Sequence, residues 1–113
     1  MSTVATIKRQ LKIKTGSVVR LSKDQKMYTT EAEELRVKID TLVAENAEEW
    51  DVKNARKMLD ESLRMIANSQ GKLGSFVGEL KDLVEEAEKE PELAGDSDLV
   101  AAQNALKNSE VPS

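Results

Sequence analysis

From Val4 onward, apolar residues return at alternating intervals of three and four. Taking Val4 as the first position of a heptad, the two inward positions fall on Val4, Ile7, Leu11, Lys14, Val18, Leu21, Gln25, Tyr28, Ala32, Leu35, Ile39 and Leu42. Only Lys14 and Gln25 interrupt the apolar or aromatic run. This rhythm is that of a helix with a coiled-coil-like seam, and no alternation of period two competes with it. The pattern predicts a first helix over about residues 4–45, roughly 60 Å long at ~1.5 Å per residue.

The stripe lapses over Ala44 to Trp50, where Asn46 is suited to ending a helix and Asp51 to capping the next. It restarts in a new frame at Val52, with inward positions Val52, Ala55, Leu59, Ser62, Ile66, Ser69, Leu73, Phe76, Leu80, Leu83 and Ala87. Pro91 disfavours the helical conformation of the residue before it, so the second helix is expected over about residues 51–90. Two amphipathic helices of near-equal length and a short connection fold back as an antiparallel hairpin. Residues 91–98 carry Pro, Gly, Asp and Ser and read as a linker. Asp96 or Ser97 is placed to cap a third helix over about residues 97–108, apolar at Leu99, Val100, Ala102 and Leu106. Residues 111–113 are expected to form a tail. The expected fold is all-α: one domain over residues 1–113, an antiparallel three-helix bundle made of a long helical hairpin and a shorter third helix.

Helix 2 carries apolar residues beside its main seam. Leu63, Val77 and Val84 lie on one flank, Met58 and Met65 on the other. A third helix of about 12 residues spans only ~18 Å. Starting beside the end of helix 2, it reaches Val77 and Val84 but not Met58, Leu63 or Met65. Uncovered apolar clusters mark interaction sites, and Met adapts to irregular partner surfaces; the alternative is that these side chains fold back onto the seam. Gly71, Gly74 and Gly78 fall on outward positions, either to admit another backbone, to let the helix bend, or without special role.

Composition narrows the function. The chain has 113 residues, 39% hydrophobic and 34% charged, with Trp50, Tyr28 and Phe76 as its aromatic residues. That mixture suits long helices with a narrow seam rather than a thick core. There is no Cys, so neither a disulfide framework nor a thiolate zinc site is expected. There is no His, which removes the commonest general base and the Ser-His-Asp and Cys-His arrangements. The inward positions hold no Asp or Glu for a metal site between facing helices. No Gly-rich phosphate loop occurs. Neither catalysis nor a bound cofactor is expected; the chain is read as a protein that binds another protein. No apolar run is long enough to span a bilayer, and residues 1–10 lack the core of a secretory signal, so the cytosol is the default location.

Net charge is −4 and unevenly spread. Residues 1–26 hold seven basic residues and one acid; residues 79–113 hold three basic residues and ten acids. Side by side in an antiparallel arrangement these stretches attract each other; otherwise both are solvated faces, or the basic stretch meets an acidic partner. It lacks the aromatic interleaving of a nucleic-acid surface.

Several blocks resemble a known family. Leu11-Lys12-Ile13-Lys14-Thr15-Gly16, continuing through Val18, Val19, Arg20, Leu21 and Lys23 to Tyr28, resembles the first helix of the tubulin-specific chaperone A (tubulin-folding cofactor A) family. Trp50-Asp51-Val52-Lys53 resembles the aromatic-Asp-aliphatic-Lys start of its second helix. Leu59-Asp60-Glu61-Ser62 and Arg64-Met65-Ile66 resemble its Leu-x-Glu-Ser-Arg-Met-Met-Ile segment, with Leu63 intervening. The order and spacing agree over about residues 7–85. The resemblance implies a three-helix bundle that holds β-tubulin on its way into the αβ dimer, in the cytoplasm beside the microtubule cytoskeleton, without nucleotide, metal, nucleic acid or membrane. It leaves open whether the chain is a monomer or a homodimer. Where the family has Pro-Asp-Cys, this chain has Ala67-Asn68-Ser69, which puts the family's bend in helix 2 in doubt.

Both lines converge on one surface. Met58, Glu61, Arg64 and Met65 are the candidate client contacts, and Lys12, Lys14, Arg20 and Lys23 are candidates for steering an acidic client. Tyr28 and Trp50 are expected to pack rather than to make contacts. The rival reading is a homodimeric coiled-coil structural or adaptor protein unrelated to tubulin, with the Met58–Met65 patch as its self-association surface.

Overall fold

Asn46 has a left-handed backbone, φ 54°, and around it the chain reverses. In the computed structural model, which describes residues 3–109, the first helix α1 (Val4–Ala44) ends just before this residue. The Ala47 amide donates to the Leu42 carbonyl at 3.0 Å and the Asn46 amide to the Val43 carbonyl at 3.2 Å. This is the Schellman closure of a helix end, and Asn tolerates the left-handed position better than most residues. The second helix α2 (Glu49–Glu88) begins almost at once.

Asp51 does not cap α2, contrary to the reading of the sequence. The Asp51 and Val52 amides donate to the Glu48 carbonyl, so Asp51 lies within the first turn. There its carboxylate meets the positive end of the helix dipole. At the far end the amides of Lys89 and Glu90 bond back to the carbonyls of Glu86 and Ala87, a tightened last turn that ends the helix two residues before the expected limit. Helix α2 runs unbroken through Ala67-Asn68-Ser69.

The stretch read as a linker is more structured than that. Pro91–Leu93 forms a single 3-10 turn, and Leu93 is only 1% exposed. Gly95 takes φ 74°, a conformation Gly adopts without steric cost. Asp96 then caps α3 (Ser97–Asn108): its Oδ1 accepts from the Asp98 amide at 2.8 Å and the Leu99 amide at 3.4 Å. The expected tail at residues 111–113 lies outside the described residues. The described residues contain no strand, and the fold is all-α: a long helical hairpin plus a shorter helix.

Every inward position named from the heptads is buried or half-buried. Contacts divide the chain into two compact units. The first comprises Met1–Ser22 and Lys72–Ser113. Its core joins Ile7, Leu11 and Val18 of α1 to Leu73, Leu80, Val84 and Ala87 of α2, and Leu99, Ala102 and Ala105 of α3 close it with Leu93. Leu11 and Leu80 are sealed from solvent, and burial of such a side chain contributes about 1.5–3 kcal/mol over leaving it exposed. Val77 and Val84, the flank assigned to helix 3, are in or against this core. The basic and acidic stretches meet here: Lys8 reaches Asp96 at 2.9 Å and Asp98 at 3.9 Å, and Lys14 reaches Glu79 at 3.2 Å.

The second unit, Lys23–Gly71, contains the end of α1, the turn and the start of α2. It has two helical segments and no third. Its buried apolar residues are Ala32, Ile39 and Ala55, with Ser69 as a buried polar group, while Tyr28, Leu35, Leu42, Val52, Leu59 and Ile66 are half-buried. A two-stranded seam leaves one edge of each inward side chain near water.

Candidate functional site: an open groove between the hairpin arms

The second unit holds a groove of about 520 Å³. On α1 it is lined by Tyr28, Glu31, Glu34, Leu35 and Lys38; on α2 by Met58, Glu61, Ser62 and Met65. Helical spacing explains the lining. Tyr28 and Leu35 are inward positions one heptad apart, and Glu31 and Lys38 flank the seam at the same interval. Met58 and Met65 occupy the matching flank of α2, also one heptad apart. In an antiparallel pair these two flanks face each other. The inward Tyr28, Leu35 and Ser62 therefore lie between a charged flank on α1 and the methionine flank on α2.

Both methionines remain open: Met58 and Met65 are each 44% exposed. They do not fold back onto the seam. Leu63, on the opposite flank, is also exposed. A flexible thioether lying half in solvent costs free energy that a covering surface would recover.

Of the candidate contacts, Met58, Glu61 and Met65 line the groove, whereas Arg64 is exposed and does not. Lys12, Arg20 and Lys23 are exposed. Lys14 is half-buried and bonded to Glu79, so part of its charge is already satisfied within the first unit. Reading the sequence missed Glu31, Glu34, Leu35, Lys38 and Ser62. The signal for Glu31 and Lys38 was present, because they share the heptad flank that faces Met58 and Met65.

The aromatic residues separate. Tyr28 is half-buried and forms part of the groove wall. Trp50 is 71% exposed and is not a packing residue, against expectation. It falls outside the heptad seam in the first turn of α2, and with Lys53, Asn54, Arg56, Lys57 and Asp60 it lines a second depression. Gly71, Gly74 and Gly78 have open space where a Cβ would stand.

The profile of the family described as Tubulin binding cofactor A matches residues 6–106. This chain belongs to that family. Human Tubulin-specific chaperone A is 41% identical over 77 residues, covering 68% of this chain and 71% of the relative. Tubulin-folding cofactor A of Arabidopsis thaliana is 34% identical over 92 residues, covering 81% and 80%. Two solved structures of the family share the fold. The human tubulin chaperone cofactor A superposes with a TM-score of 0.78 at 33% identity, covering 93% of this chain and 99% of the other. The Arabidopsis thaliana tubulin folding cofactor A superposes with a TM-score of 0.81 at 26% identity, covering 91% and 94%. Membership disfavours the unrelated coiled-coil adaptor. It also places Met58, Glu61 and Met65 within the family's matched region.

Proposed function

We propose that this chain is a tubulin-folding chaperone that holds β-tubulin intermediates on the way to the αβ dimer. The observation that carries the reading is the open groove in the second unit, with Met58 and Met65 exposed at its edge, in a chain of the tubulin binding cofactor A family. Met58, Glu61 and Met65 contact the client from the groove, and Arg64 contacts it from beside them. Lys12, Arg20 and Lys23 form no ion pair among the described residues and draw an acidic face of the client by long-range attraction. Lys14 adds less, because Glu79 already engages it.

The action is binding without chemistry. It uses no nucleotide, metal or other cofactor, and it takes place in the cytoplasm. Among the described residues no helix is long and apolar enough to cross a membrane.

The test is co-elution of the purified chain with free β-tubulin. The expected result is a one-to-one complex that Met58→Ser/Met65→Ser weakens at least tenfold while circular dichroism stays unchanged. Absence of any complex with the parent chain rules the proposal out. A complex that both the serine variant and charge reversal at Lys12, Arg20 and Lys23 leave untouched rules out these contacts.

A further inference from the structure

We infer that the groove between the hairpin arms takes a cationic, amphipathic helix of its partner. The inference deepens the proposed function and rests on the groove being the client-facing surface. It begins with charge. Glu31, Glu34 and Glu61 rim the groove against a single cation, Lys38. None of the four is in an ion pair among the described residues. The lining therefore carries three carboxylates and one ammonium, none of them in an ion pair, beside the apolar surfaces of Tyr28, Leu35, Met58 and Met65. An acidic segment entering here faces like charges. A segment bearing Lys or Arg lays its aliphatic stems on the methionines and turns its charged heads to the carboxylates.

The walls of the groove favour a helical occupant. Both walls are α-helices, whose amide and carbonyl groups are paired within the helix. Neither wall offers a strand edge for an extended chain to pair with. A helix pressed onto this surface brings its backbone hydrogen bonds already satisfied, the helix-in-groove mode of recognition. The spacing agrees. Met58 and Met65 are one heptad apart, about 10.5 Å along the axis, which matches apolar anchors at i, i+3 or i+4, and i+7 on a partner helix. A second copy of this chain is a poor occupant. Its own cationic amphipathic stretch, at the start of α1, already uses Ile7 and Leu11 in its core.

The test uses the intact protein and two 14-residue peptides with the same helical Leu pattern, one with Lys at every polar position and one with Glu. Binding is read by fluorescence anisotropy and by the methyl resonances of Met58 and Met65. The Lys peptide is expected to bind, to shift both methyl signals, and to bind at least tenfold more tightly than the Glu peptide. Glu31→Lys/Glu34→Lys/Glu61→Lys should abolish that preference, whereas reversal of the exposed Glu85, Glu86 and Glu88 should leave it within twofold. Equal binding of the two peptides, unshifted methyl signals, or equal loss from both triple reversals overturns the inference. So does a sedimentation mass of two chains with Met65 protected, because a second copy then fills the groove. β-Tubulin capture is scored separately. Capture with no peptide preference removes this inference alone, and peptide preference without capture removes the client and leaves the groove chemistry.

Discussion

The Lys8 ammonium lies 2.9 Å from a carboxylate oxygen of Asp96, the residue whose other oxygen caps α3. One side chain thus starts the last helix and ties it to the first. The hydrogen bond from Lys8 holds the Asp96 carboxyl below the usual carboxylate range, against a smaller opposing effect of burial. The same bond raises Lys8 above its ordinary value.

The sign of the pH dependence follows. A carboxylate depressed in the folded state contributes stability above its unfolded value, and loses it as pH falls through the folded one. A raised lysine contributes below its unfolded value and loses its part as pH rises through the folded one. The pair is therefore constant across neutral pH and fails in strong acid and strong base. Asp96→Asn keeps the cap and removes the charge. Its melting temperature should lie below the parent's at pH 7, and the gap should close as pH drops below the ordinary aspartate range. A gap unchanged down to pH 2 would show that the charge contributes nothing.

The left-handed Asn46 predicts an asymmetric response at the hairpin turn. Asn46→Ala places a Cβ with no compensating side chain in a conformation that costs L-residues roughly 1–2 kcal/mol, so it should destabilise by about 1 kcal/mol in urea unfolding. Asn46→Gly should be neutral or stabilising. Equal loss in both variants would mean that the Asn side chain, not the backbone, holds the turn.

Gly74 sits inside α2 with nothing near its would-be Cβ. Gly74→Ala should therefore stabilise the chain by about 0.5–1 kcal/mol through the helix propensity gained. Unchanged stability would point to a helix whose backbone is already restrained. If the variant is more stable yet captures β-tubulin less well, the glycine serves the approach of another backbone.

Much of the fold was legible in the sequence because a helix seam is a local, periodic property. Ile39 and Ala55 could be placed inward from spacing alone, since every residue of a helix inherits its direction from its neighbours. Asn46 was legible for a similar reason: few residues accept a left-handed backbone. Leu93 was not. It stands in a stretch with the composition of a linker, and its burial depends on where the 3-10 turn after Pro91 delivers it, a matter of three-dimensional closure. Trp50 failed in the opposite direction. Large apolar area suggests burial, but a residue in the first turn of α2, off the seam, has nothing above it.

The candidate groove divides the same way. Spacing alone put Met58 and Met65 on one flank of α2 and gave α3 too little length to cover them. That Glu34 joins the groove lining, that Arg64 stands outside it, and that Lys14 is engaged by Glu79 emerged only when two helices were laid side by side. The sequence determined each helix and its inward stripe, because those follow from bonds between near neighbours in the chain. The tertiary structure decided which charges meet and which apolar atoms stay wet, because these depend on residues from different arms whose register no single helix contains.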